Sequence, residues 1–262
     1  MTMTSDLFSV EGKTILVTGG TRGIGYMIAE GFLRGGARVY ISSRKEHGCR
    51  EAESALSEYG AVHAIPGDVS TEEQCRALVD TIAGHESTLD VLVNNAGATW
   101  GAPLDEFPDS GWDKVLATNL KAPFTLTKLA RPLLEKAASE DSPARVINIG
   151  SIDGLSVPGF ENYSYSAAKA GLHHLTRHLA GELAPSILVN AIAPGPFPSK
   201  MMEKPLEANG DQLRAASPVR RIGRPDDIAG AAIYLSSPAT TYMTGAVLPL
   251  DGGLSTTLGV QV

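Results

Sequence analysis

Short, nearly continuous apolar runs recur along the chain at 14–17, 37–41, 62–65, 91–93, 146–149, 187–192 and 246–250. They are rich in β-branched residues and show little polar alternation, the pattern of strands buried on both faces of a parallel sheet. Between them, the stretches 24–35, 72–83, 112–138 and 164–184 carry apolar residues at helical spacing. Strand and helix alternate throughout, which predicts right-handed crossovers and a doubly wound α/β sheet with helices on both faces. No linker, repeat or low-complexity tract divides the 262 residues, so one domain spanning 1–262 is expected.

One region breaks the rhythm. From Pro194 to Pro218 the chain holds five prolines and two glycines among scattered helix formers, with no strand signal. A long irregular insertion directly after a buried strand predicts a substrate lid at about 194–218, because ligands in open α/β sheets bind beyond the carboxyl ends of strands.

Composition narrows the functional classes. Hydrophobic residues at 43% and charged residues at 19% allow a full core. A net charge of −7 argues against a broad phosphate-binding face for nucleic acid. The polar start at 1–10 lacks a signal-peptide pattern, and no apolar stretch has bilayer-spanning length, so a cytoplasmic protein with no membrane partner is expected. Cys49 and Cys75 fit no metal or disulfide spacing and are read as reduced thiols.

Directly after the first strand comes Thr18-Gly19-Gly20-Thr21-Arg22-Gly23-Ile24-Gly25, which opens a helix. Glycines here give backbone room for a tight turn and for main-chain N–H groups to approach a pyrophosphate. The open N–H groups and positive dipole end of the new helix then hold the anion. The spacing is Gly-x-x-x-Gly-x-Gly, and it lacks the Gly-Lys-Ser/Thr ending of a nucleoside-triphosphate loop.

That spacing resembles the short-chain dehydrogenase/reductase family, and the resemblance extends over nearly the whole chain. Its motifs run in family order: Asp68-Val69, Asn94-Asn95-Ala96-Gly97, Asn119, Ser151, Tyr165-Ser-Ala-Ala-Lys169, Pro194-Gly195 and Asp251-Gly252-Gly253. The resemblance implies a Rossmann domain with a seven-stranded parallel sheet, a nicotinamide cofactor and a homotetramer. It places Gly19, Thr21, Arg22, Gly23, Ile24 and Gly25 under the pyrophosphate, and Asp68 and Val69 at the adenine. Asn95, Ala96 and Gly97 match the supporting turn, while Pro194, Gly195, backbone near Phe197 and the Ser199 hydroxyl would meet the nicotinamide carboxamide.

The choice between the two nicotinamide cofactors falls at the second strand's end, Ser42-Ser43-Arg44. An NAD site usually places an acid here to bind the ribose 2′-OH. Ser43 replaces that acid, and Arg44 and Arg22 offer planar forks suited to a 2′-phosphate, which predicts NADP(H). The alternative is that both arginines are merely solvated.

Carbonyl reduction needs a proton donor and a group that polarises the C=O. Tyr165 and Lys169 are four apart and share one face of a helix. A nearby ammonium favours the phenolate and lowers a tyrosine's pKa. Alone, such a pair is more often a surface contact; Ser151, fourteen residues earlier, and the glycine-rich turn support a catalytic reading. The resemblance implies that Tyr165 exchanges the proton and that Lys169 tunes it and holds the nicotinamide ribose. It further implies that Ser151 binds the substrate oxygen and Asn119 supports a water-linked relay.

Other residues stay open. His173, His174 and His178 crowd one helix without a matching ligand pattern, so packing or subunit contact is expected over a metal site. Asp153 either lines the pocket or caps the next turn, and Trp100 and Phe160 are candidate pocket walls or core aromatics. The stretches 98–101, 143–151 and 192–201 look most like NADPH-dependent 3-oxoacyl reductases of the rhamnolipid-linked type. A 3-oxoacyl thioester on acyl carrier protein or coenzyme A is therefore the expected substrate. Arg220, Arg221 and Arg224 are either a docking patch for that carrier or salt-bridged scaffold. The alternatives are a reductase of free ketones, sugars or steroids, and a non-catalytic NADP-sensing regulator.

Overall fold

The computed structural model of the chain describes residues 4–200 and 202–257. Met201 and residues 1–3 and 258–262 lie outside the described residues, and with them the ends of the expected 1–262 domain. The strands are β1 (Thr14–Thr18), β2 (Arg38–Ser43), β3 (Val62–Pro66), β4 (Val91–Asn94), β5 (Ala144–Ile149), β6 (Ile187–Pro194) and β7 (Val247–Leu250). All pair in parallel in one sheet of order β3-β2-β1-β4-β5-β6-β7. The chain runs outward from β1 in one direction and then returns to β4 to run in the other. The crevice beyond the ends of β1 and β4 is therefore the switch point where ligands bind such sheets.

The helices in chain order are α1 (Thr4–Leu7), α2 (Gly23–Arg34), α3 (Glu46–Leu56), α4 (Glu72–His85), α5 (Asp109–Leu116), α6 (Ala122–Ala137), α7 (Tyr163–Leu183), α8 (Glu203–Ala216), α9 (Pro225–Ser236) and α10 (Leu254–Thr257). Strand alternation divides the apolar residues between two cores. Ile15, Val17, Val39 and Ile41 face α2, α3 and α9, where Phe32, Leu56 and Ile228 are buried. Leu16, Tyr40, Leu92 and Val146 face α4, α6 and α7 on the opposite side. Burial of both sheet faces explains why the strands read as unbroken apolar runs. None of the described helices is long and apolar enough to cross a membrane.

Two expectations are corrected. The stretch 112–138 is not one helix: a π-helical turn, Ala117–Lys121, separates α5 from α6. Its residues suit an α-helix, so apolar spacing does not reveal the extra residue in the turn. The region 194–218 is also not irregular throughout, because it contains α8, bent at Asn209 (φ −138°, ψ 23°). Pro205 falls in the first turn, where a missing N–H leaves no intrahelical bond unmade.

Candidate active site

The glycine-rich turn is held from beneath by the residues after β4. Thr18 Oγ1 accepts from the N–H groups of Asn95 and Ala96, both at 3.0 Å. Asn95 Nδ2 donates to the carbonyls of Thr18 and Gly19 at 2.8 and 3.2 Å. A Cβ on Gly25 would stand 2.3 Å from Asn95 Nδ2 and 2.4 Å from the Gly19 carbonyl oxygen. Gly19 and Gly23 have φ of +65° and +56°, the left-handed region that glycine reaches without strain. Arg22 precedes α2 without a side-chain cap, so the helix opens with main-chain donors available to an anion.

The remaining cofactor candidates converge on the same crevice. Ser43 ends β2, with Arg44 exposed beside it. Arg22 and Arg44 form no salt bridge with the described residues, and no acid stands at the end of β2. These residues fit the 2′-phosphate of NADP(H). Asp68 accepts from its own turn, Ser70 N at 2.9 Å, and Val69 is buried against α4. After β6, Gly195 passes Asp251 so closely that a Cβ would meet Asp251 Cβ at 2.8 Å. The Phe197 ring is buried against Gly223, while Ser199 lies over Gly23, where a Cβ would approach Ser199 Cβ to 3.1 Å. The Pro194–Ser199 segment thus reaches the start of α2 at Ser199.

The polar groups past β5 form the other half of the cleft. Ser151 accepts at Oγ from Asp153 N at 3.1 Å, in the short turn Ile152–Gly154. Tyr165 and Lys169 lie on α7, with Lys169 Nζ 5.5 Å from the Tyr165 ring centroid and Ser151 close enough to Tyr165 to act on its pKa. Lys169 is buried and donates to the Ile149 carbonyl at the end of β5, at 2.6 Å. Burial pushes Lys169 down to about 8, with Asp153 opposing. Tyr165 departs from the expected direction: burial and then the Asp153 charge push it up to about 12, with nearby Ser151 opposing. The lysine sits beside the ring and is bonded to a carbonyl, so desolvation outweighs its attraction.

Asn119 is buried in the π-helical turn. Its amide brackets Ala98, accepting from the N–H at 2.8 Å and donating to the carbonyl at 2.9 Å. It therefore fixes the loop after β4 through its side chain. Asp153 is half-buried, and its carboxylate accepts from Asn162 Nδ2 at 3.0 Å.

The open residues now divide. His173 is buried between two glycines, since a Cβ on Gly150 would fall 2.1 Å from its Nε2, while His174 and His178 are exposed. No metal-holding cluster occurs among the described residues. Trp100 packs its ring on Gly111, with Lys114 Nζ 5.5 Å above it, and so anchors a loop. Phe160 is 53% exposed. Arg221 pairs with Asp227 and Arg220 donates to the Ala215 carbonyl, which makes both part of the local scaffold. Sequence reasoning passed over Thr18 and Asn162. A threonine closing the strand before the glycines was a readable signal for the first; the second had none.

Comparison with known proteins gives the family. A family model described as Enoyl-(Acyl carrier protein) reductase matches residues 19–255. The chain is 47% identical over 253 residues to the rhamnolipids biosynthesis 3-oxoacyl-(acyl-carrier-protein) reductase of Pseudomonas aeruginosa, covering 94% of this chain and 97% of that protein. It is 36% identical over 256 residues to the 5-keto-D-gluconate 5-reductase of Escherichia coli K12, covering 95% and 98%. The solved Pseudomonas aeruginosa RhlG/NADP active-site complex matches with a TM-score of 0.91 at 46% identity, over 95% of this chain and 99% of that one. Fold, motif order and these relatives agree: the chain belongs to the short-chain dehydrogenase/reductase family.

Proposed function

We propose that the chain is an NADPH-dependent carbonyl reductase whose substrate is a 3-oxoacyl thioester, carried on acyl carrier protein or coenzyme A. The observation that carries this reading is the grouping of Ser151, Tyr165 and Lys169 at the carboxyl end of β5, beside a glycine-rich turn open to an anion. NADPH, when bound, supplies the hydride that reaches the carbonyl carbon. Tyr165 transfers its hydroxyl proton to the oxygen as negative charge develops there, and Ser151 hydrogen-bonds that oxygen. Lys169 binds the nicotinamide ribose and holds positive charge near Tyr165. Asn119 fixes the loop at Ala98 and supports a water-linked proton relay to Lys169. Gly19 to Gly25 hold the pyrophosphate, Arg22 and Arg44 the 2′-phosphate, Asp68 and Val69 the adenine, and Phe197 and Ser199 the carboxamide.

The apolar side of the cleft favours an acyl chain over a sugar. Leu155, Val157 and Phe160 follow Ser151 and are exposed, an apolar edge that a fatty chain would cover. Segment 194–218, with its bent helix, is the lid of this reading. A homotetramer in the cytoplasm completes it. The polar pair Asp153 and Asn162 beside Ser151 favours a second substrate class, a hydroxylated ketone.

The test is a panel of 3-oxoacyl thioesters, free ketones and keto-sugars with NADPH, followed by loss of cofactor absorbance. The proposal expects the highest kcat/KM for an acyl thioester. A keto-sugar preferred over every thioester overturns the substrate, and NADPH binding without turnover of any carbonyl favours a cofactor sensor.

A further inference from the structure

Asp153 and Asn162 join the two elements that carry the acid–base groups. The main-chain N–H of Asp153 donates to Ser151 Oγ at 3.1 Å, and its Oδ2 accepts from Asn162 Nδ2 at 3.0 Å. Asn162 precedes α7 and accepts at Oδ1 from Ser166 Oγ at 3.1 Å. Its main-chain carbonyl accepts from the N–H groups of Tyr165 and Ser166 at 2.9 and 3.1 Å. One carboxylate thus connects the turn holding Ser151 to the residue on which the Tyr165 backbone hangs.

The other end of that turn is also pinned to α7. A Cβ on Gly154 would meet the Lys169 carbonyl carbon at 2.7 Å and Ala170 N at 2.8 Å. The turn therefore touches α7 at two places with Asp153 between them. An amide side chain in place of Asp153 would keep this tie, so the tie alone does not require a charge. The charge has its own targets. Tyr165 and Lys169 on α7 both lie within its electrostatic reach, and His173, the next titratable group on α7, is buried beside Gly154. Asn162, Ser151, Ser166 and, from the π-helical turn, Asn119 are neutral. Asp153's negative charge raises both Tyr165 and Lys169.

We propose that Asp153, anchored by Asn162, is a positioning residue for the reduction: it sets the turn holding Ser151 against the start of α7 and holds a negative charge beside Tyr165 and Lys169. The inference rests on the acid–base reading of Tyr165 and Lys169. An unpaired negative charge beside a developing oxyanion would oppose reduction, whereas one offset by Lys169 preserves the ammonium the reaction needs.

The experiment is the pH profile of kcat/KM for ketone reduction by the native chain, Asp153→Asn, Asp153→Ala and Asn162→Ala, with NADPH binding measured alongside. The alkaline limb of the native profile is expected near pH 8, where Lys169 loses its proton. Asp153→Asn keeps an acceptor for Asn162 and loses the charge, so its limb moves to lower pH by roughly half a unit or more. At about pH 6, below the limb, Asp153→Ala and Asn162→Ala lose about tenfold in kcat through misplacement. Asp153→Asn restores most of the Asp153→Ala loss, and NADPH binding is unchanged in all three. A superimposable Asp153→Asn profile, or no restoration by it, overturns the proposal. If Asp153→Ala does not fold, the Asp153→Asn profile alone decides. Activity retained by Tyr165→Phe would instead sink the acid–base reading itself, whereas a dead Tyr165→Phe with an unmoved Asp153→Asn limb defeats only the role of Asp153.

Discussion

The two halves of the cleft are built by different means. Around β1 and β4 the Thr18 and Asn95 side chains tie the main chain together beneath the turn, and Gly19, Gly23 and Gly25 have no room or no conformational freedom for a side chain. Past β5 and β6 the wall is made of side chains on loops. Leu155, Val157 and Phe160 are 42%, 96% and 53% exposed, and α8 is bent. The rigid half suits a fixed cofactor, and the open half leaves the substrate to be defined by surface residues. The relatives named above include reductases named for an acyl carrier and for a keto-gluconate.

The most disruptive test of the contrast is a side chain in the rigid half. Gly25→Val would drive atoms into Asn95 and the Gly19 carbonyl. NADPH affinity should fall at least about a hundredfold, while far-ultraviolet circular dichroism keeps the native helix content. Unchanged affinity would mean that the turn does not hold the cofactor. Next in size is charge at the 2′-phosphate: Arg44→Asp should lower the NADPH-over-NADH ratio of kcat/KM by about tenfold or more. An unmoved ratio removes Arg44 from the site.

A third test uses His173, which is buried beneath the half past β5, against Gly150 and Gly154. Burial holds its pKa near 4. The unfolded chain binds that proton near pH 6.5, so the folded state binds fewer protons between these values. Stability is therefore complete above about pH 6.5 and falls as pH drops towards 4. Melting temperatures across this window should fall less steeply in His173→Phe than in the native chain, and parallel curves would contradict the assignment. The smallest effect belongs to the open half. Phe160→Ala should raise KM for a long-chain 3-oxoacyl thioester about two- to fivefold with kcat and NADPH binding nearly unchanged.

The same contrast decides what the sequence discloses. The strands and the cofactor half are legible because burial on both faces and backbone room restrict residue type, as at 14–17 and Gly19 to Gly25. The π-helical turn at Ala117–Lys121 is not legible, since Ala, Thr, Asn, Leu and Lys all suit an ordinary helix. The helix α8 escaped notice because Pro205, Asn209 and Gly210 look like breakers, although the proline falls in the first turn and the bend occurs at Asn209. The position of Tyr165 beside Ser151 was readable, but the direction of its pKa was not. That direction depends on burial and on Asp153, whose carboxylate meets Asn162 nine residues later across a loop.

The central claim is that Tyr165 delivers the proton in an NADPH-dependent carbonyl reduction. Its most direct test is the single-turnover loss of NADPH absorbance on mixing the loaded protein with a 3-oxoacyl thioester, for the native chain and Tyr165→Phe. The account predicts a rapid loss in the native chain. In Tyr165→Phe, which still binds NADPH, the rate should be slower by a factor on the order of a thousand. Equal rates in the two proteins would contradict it.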